Sequence, residues 1–187
     1  SRLLHEVSTG TVVVFICGLM ICDLHLNPHH RHPVFSTPGD AVFDLGAGSD
    51  YEEFFRLDER TTAFFSFMSS LVVRREKLVS VPLDEDFVGS CWAHVVRIFR
   101  MLPSGLRVKY ISEAMLRKRS DNDSFMDRGL VHRAGIAIDG FDRIASTLFG
   151  RDRREAFHMR RVLRNEYHLA AMLYMKLWAS ENDPGRN

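Results

Sequence analysis

The sequence predicts an α/β fold with a helical C-terminal part, and three observations lead there. Residues 11–17 are a run of β-branched and aromatic residues without polar alternation, the pattern of a strand covered on both faces at the centre of an α/β sheet. Stretches between 51 and 101 alternate short helical and strand-like patterns. From Ser124 onward the pattern turns helical and stays so.

The elements follow in order. The chain opens on a helical pattern with Leu3, Leu4 and Val7 on one face and begins without a Met, so it reads as a piece of something longer. Residues 12–22 are interrupted by Gly18 and fall far short of the roughly 20 residues a membrane-spanning helix needs, so a buried strand is expected there. Residues 25–50 carry Pro28, Pro33, Pro38, Gly39, Gly46 and Gly48, which predicts a long loop of the kind that binds or covers a ligand. A short helix is expected at 51–57 with Asp50 as its N-cap. An apolar aromatic run occupies 61–68, then a strand at 69–75 and a turn of helix at 75–79. Asp84, Glu85 and Asp86 open a helix to about Met101, with acids at its positive end, and Pro103-Ser104-Gly105 stops it. Two short strands, 107–111 and 114–119, flank Ser112-Glu113. One helix spans about 127–148, ended by Gly150, and one or two more run over 153–179 before a frayed tail.

Composition narrows the class. A chain of 187 residues fits one domain, or a domain with a helical appendage. A formal net charge of +1 supplies no field that would favour nucleic acid, so no nucleic-acid partner is expected. Three cysteines, an odd number, argue against a disulfide framework, and Cys17, Cys22 and Cys91 read as reduced groups of a cytoplasmic protein. No charged segment followed by an apolar run and a cleavage site marks a signal peptide.

Several groups of residues carry candidate chemistry. The stretch Gly89-Ser90-Cys91-Trp92-Ala93-His94 places a Trp and a His within an apolar helix, just after the acids at 84–86. A carboxylate or a His within reach of a hydroxyl can take its proton, and the same three acids can equally serve as a helix cap. Arg119, Asn122 and Ser124 combine a guanidinium suited to phosphate oxygens with a polar turn that can cap the next helix. His25, His29, His30 and His32 follow no recurrent metal-ligand spacing and read as a solvated loop. The C-terminal helices are basic, with Arg143, Arg151, Arg153, Arg154, Arg160, Arg161 and Arg164 beside an apolar stretch at 167–178. That pattern suits either a solvated face or an anionic membrane surface.

The Gly-Ser-x-Trp-x-His helix and the Arg-x-x-Asn-x-Ser element, in this order, resemble the acceptor half of family 2 inverting glycosyltransferases, in particular abequosyltransferase-like O-antigen enzymes. The resemblance runs to about Phe125. It implies a partial GT-A (Rossmann-like) sheet over residues 1–125, the acceptor-side half of a domain whose nucleotide-binding half is absent. Residues 126–187 are then a helical extension. It implies inverting transfer from a nucleotide-sugar donor to a saccharide or lipid-linked acceptor in surface-polysaccharide synthesis, by a cytoplasmic protein peripheral to the inner membrane. Asp86 or Glu85 would be the base, with His94 next. Trp92 would wall a sugar ring, Ser90, Asn122 and Ser124 would bind substrate, and Arg119 would meet the diphosphate. The family's usual Glu-Asp pair would fall on Ser90-Cys91, which carry no carboxylate, so the choice of base stays open. A divalent ion (Mg or Mn) is expected in the full-length enzyme; its Asp-x-Asp motif would lie upstream of Ser1, so this chain alone should be inactive.

Two other readings are available. Asp44 to Asp50 resembles the first glycine motif of S-adenosylmethionine methyltransferases, although Asp50 stands where a third Gly is usual. A non-catalytic helical interaction module, working through the arginine face, is the other.

Overall fold

The computed structural model describes residues 2–8, 10–46, 48–120 and 129–182. Its order is α1 (Arg2–Ser8), β1 (Val14–Cys22), β2 (Pro28–His32), β3 (Ala41–Asp44), α2 (Gly48–Leu57), β4 (Leu71–Val73), α3 (Arg75–Val79), α4 (Ala93–Phe99), β5 (Arg107–Arg119), α5 (Gly129–Ile144), α6 (Arg154–Glu166) and α7 (Leu169–Asn182). The mixed α/β architecture expected from the sequence is present. A five-stranded sheet runs β2-β1-β5-β3, and β4 pairs with the first half of β1 on the edge whose second half β2 occupies.

β1 is the central strand, with Val14, Phe15, Ile16, Cys17 and Leu19 all buried, as its unbroken apolar run requires. It lies parallel to β5, and every other pairing is antiparallel. The two short strands expected around Ser112-Glu113 are one strand of 13 residues. The interruption is a register shift: Cys17 pairs with Ile111, but Gly18 pairs with Ala114 and Leu19 with Leu116. Gly18 makes this bulge sterically feasible, because a Cβ there would stand 2.6 Å from the carbonyl oxygens of both Ser112 and Glu113. Asp40 braces the bulge by accepting from the Ser112 N–H and hydroxyl, each at 3.0 Å.

The long loop expected at 25–50 holds two strands. β2 closes a hairpin on β1 through a turn in which Asp23 Oδ1 accepts from the N–H groups of His25 and Asn27, with Leu26 at φ 67. Its residues are almost wholly exposed, so no apolar signal marked it. β3 leads through a tight turn into α2, which starts at Gly48 rather than 51. Asp50 sits inside that helix and accepts from the Asp44 N–H at 3.0 Å, so it is a turn brace rather than the N-cap.

The helix expected from 84 to 101 is broken. Residues Glu85–Phe87 make one 3₁₀ turn, Gly89 takes φ +81, and α4 begins only at Ala93. Phe87, Trp92, Val95, Val96, Ile98 and Phe99 face one core shared with Ala137, Phe141 and Ile144 of α5 and Ala156, Met159 and Val162 of α6. The core thus crosses the boundary at 125/126. A network of ring contacts among Phe35, Phe43, Phe54, Phe55, Phe65 and Phe99 fills its centre. α5 continues into a π-helical turn, Ala145–Phe149, and Gly150 at φ 93 ends it. Arg161 of α6 ties the halves together, its Nη2 donating to the carbonyls of Phe55, Arg56 and Asp58 where α2 ends. Cys17, Cys22 and Cys91 are free thiols. Among the described residues no helix is long and apolar enough to cross a membrane.

Candidate functional site

The site is organised by the segment after α2. Thr61–Phe64 form one 3₁₀ turn, and Phe65 follows in the left-handed region at φ 63, its N–H returning to the Thr62 carbonyl. Phe64 and Phe65 are wholly buried, and their rings hold this backbone against the core. A bulky residue in that conformation costs on the order of 1–2 kcal/mol, which the surrounding rings must offset. The reversal presents polar backbone to its neighbours, and side chains from three elements converge on it.

From β2, His32 Nε2 lies 2.9 Å from the Thr62 hydroxyl. From α4, His94 Nε2 donates to the Phe65 carbonyl at 3.0 Å. From β5, the Lys118 ammonium stands 5.6 Å from the centre of the Phe67 ring. Burial holds both imidazoles in the neutral form. His32 is brought down to about 4, mainly by desolvation and then by the charges of Lys118, Arg60 and His30. His94 is also lowered by burial, with the Phe65 and Ser66 carbonyls pulling the other way. With Nε2–H committed to a carbonyl, neutral His94 keeps its basic lone pair on Nδ1.

The residues singled out from the sequence are distributed as follows. Glu85 and Asp86 are exposed on the 3₁₀ turn. Asp84 caps that turn, accepting from the Asp86 N–H and pairing with Arg100 at 2.7 Å. Arg143 of α5 donates to the Asp86 carbonyl at 2.7 Å and lies over the Phe87 ring. Ser90 donates to the Phe87 carbonyl at 2.7 Å and accepts from the Trp92 N–H, so it shapes the entry to α4. Trp92 stands at the N-terminal boundary of α4, is 8% exposed, and donates its indole N–H to the Ile136 carbonyl at 3.0 Å. Its ring lies 4.7 Å from that of Phe141 and fills the space that Gly140 leaves. Arg119 is exposed at the last residue of β5, opposite Cys22. Asn122 and Ser124 lie outside the described residues. No hydrogen bond, ion pair or ring contact among the described residues joins Asp86, Trp92 or Arg119 to one another.

Two residues were passed over in the sequence, Thr62 and Lys118, and His32, read there as part of a solvated loop, instead lies on β2 against Thr62. The available signal was the alternation in His30-Arg31-His32, which puts His30 and His32 on one face of a strand.

The methyltransferase motif does not find its context. Asp44 to Asp50 does join a strand to a helix, but β3 runs antiparallel to β5 at the sheet edge, whereas that cofactor motif needs a parallel strand. Asp44 accepts from the Gly46 N–H and Asp50 from the Asp44 N–H, so both acids close the turn itself. Among the described residues no cluster of three or more His, Cys, Asp or Glu side chains could hold a metal ion.

No family model matches the chain. Comparison with characterised proteins supports a relationship to glycosyltransferases. One relative is the abequosyltransferase RfbV of Salmonella typhimurium, 24% identical over 132 residues, or 70% of this chain. The chain spans only 39% of that protein's length.

Proposed function

We propose that the chain is the acceptor-side portion of a GT-A, family 2-like inverting sugar transferase acting in O-antigen or related surface-polysaccharide synthesis. The similarity to a sugar transferase over most of the chain carries this reading. In it, the nucleotide-sugar donor and its divalent ion are held by the part of the domain that this chain does not span.

His94 is the base we favour. It lies half-buried at the start of α4, neutral, with one nitrogen fixed on the Phe65 carbonyl and the other basic. Such a group takes the proton of an attacking acceptor hydroxyl as the sugar carbon is displaced from its diphosphate. The resemblance alone puts Asp86 and Glu85 first, but both are solvent-exposed, and Asp86 meets Arg143 through its backbone carbonyl. Ser90 and Trp92 serve the site by fixing the entry of α4 and its packing on α5. Lipid-linked acceptors would place the arginine-bearing α6 against an anionic membrane from the cytoplasmic side. Vesicle sedimentation with and without anionic lipid tests that.

The deciding experiment is transfer by the polypeptide carrying both halves. His94→Gln should lower the rate by about 10²–10⁴ while donor binding is kept, and Asp86→Asn should leave most of the rate. The reverse pattern would return the base to Asp86.

A further inference from the structure

We infer that the carboxyl end of the β1–β5 pair carries a binding site for a phosphoryl group, built from His30, His32, Lys118 and Arg60. Sheet register places them. Leu19 pairs with His32 and Ile21 with His30 on one side of β1, while on the other side Ile21 pairs with Lys118. Since alternate residues share a face, His30, His32 and Lys118 stand on the same face of the sheet. Arg60, in the turn after α2, is close enough for its charge to act on His32, and it also lines a polar recess of about 450 Å³ with Ser36, Asp58, Glu59, Arg161 and Asn165.

The charges that reach His32 come from Lys118, Arg60 and its strand neighbour His30, and no carboxylate is among them. The nearby acid on α6, Glu166, bonds to Thr61 and faces Arg60 and Arg133, and burial pushes it toward its neutral form. A cluster with this positive surplus is poised for an anion, and planar or ammonium donors around a point suit phosphate oxygens. In α/β sheets ligands bind at the carboxyl ends of parallel strands, and β1 and β5 form the parallel pair here. An arriving phosphoanion would supply the negative charge that lets His32 take a proton and donate. His94 and Lys118 reach the same 65–67 segment, so this cluster and the favoured base are neighbours.

The phosphate could belong to a nucleoside diphosphate or to a phosphorylated lipid carrier. That a nucleoside diphosphate bound there is the group displaced from the sugar rests on the transferase reading, whereas the site itself stands on the geometry.

The test follows the His32 imidazole by NMR in the 187-residue chain during titration with inorganic pyrophosphate, uridine diphosphate, or phosphatidylcholine vesicles with and without phosphatidic acid. Pyrophosphate should raise the His32 titration midpoint, and Lys118→Gln should weaken binding about tenfold, with Lys118→Arg retaining it. Tighter binding of uridine diphosphate than of pyrophosphate assigns the site to a nucleotide. A response confined to the acidic vesicles assigns it to a lipid phosphate. If no probe moves His32, or if Lys118→Gln and His30→Asn bind as the parent does, the site is refuted. Absence of sugar transfer by the polypeptide carrying both halves, with pyrophosphate binding intact, would refute only the transferase reading.

Discussion

Two glycines of α5 offer a paired test of how the C-terminal helices dock. Ordinarily Gly→Ala within a helix stabilises by about 0.5–1 kcal/mol, because the unfolded chain loses freedom it no longer has to give up. At Gly135 a new Cβ meets nothing within 4 Å, so Gly135→Ala should show that gain. At Gly140 the Cβ would fall 1.9 Å from Trp92 Nε1 and 2.2 Å from Cδ1. The indole cannot simply retreat, since it is bonded to the Ile136 carbonyl and packed on Phe141. Displacing it combines overpacking of about 1–3 kcal/mol with a lost hydrogen bond of about 1 kcal/mol, against the same conformational gain. The net for Gly140→Ala is a loss of roughly 1–3 kcal/mol, so the two variants should differ by about 2–4 kcal/mol. Urea unfolding monitored by tryptophan fluorescence measures this, provided the slope against denaturant is unchanged. If Gly140→Ala is as stable as Gly135→Ala, then Trp92 is not the anchor of α5 and the shared core is wrong.

Other consequences follow from single groups. Gly18→Ala forces a Cβ onto two backbone carbonyls and should destabilise by about 3 kcal/mol, read as a lower urea midpoint; an unchanged midpoint would deny the bulge. Asp58 is 2% exposed, neither of its carboxyl oxygens has a hydrogen-bond partner among the described residues, and burial pushes it well above the usual carboxylate range despite Arg161. The folded state therefore keeps a proton that the unfolded chain releases. Stability should decline as pH rises above about 4, and Asp58→Asn should flatten that decline; an unaltered pH profile would contradict it. His32 has the opposite sign: its folded value of about 4 lies below the ordinary one, so its contribution is present at neutral pH and is lost as pH falls from about 6.5 toward 4. Its imidazole resonances should titrate near 4 in the ligand-free chain, and an ordinary histidine midpoint would show it to be solvated.

What the sequence disclosed was what local pattern controls. The β-branched run of β1 declared a doubly covered strand, and the apolar faces of α5 and α6 declared helices. β2 was hidden because its Pro, His and Arg residues are exposed; only the edge of β1 makes it a strand. The break between Phe87 and Ala93 depended on Gly89 adopting a positive φ, which a helical pattern of apolar residues does not reveal. Trp92 looked like a ligand wall because the residue that defines its surroundings, Gly140, lies far along the chain. His32, Thr62 and Lys118 meet only through sheet register and the turn at Phe65, so no local spacing could join them. His94 was visible as a candidate, but its commitment to the Phe65 carbonyl was not.

The central claim is that His94, neutral and anchored on the 61–67 segment, accepts the proton of an incoming sugar hydroxyl. The measurement that reaches it most directly is the pH dependence of sugar transfer by the polypeptide carrying both halves, with and without His94→Gln. The account predicts an acid limb in the parent, governed by a group below the ordinary histidine range, that disappears in the variant along with at least about 100-fold of the rate. A variant that keeps both the rate and the acid limb would contradict it.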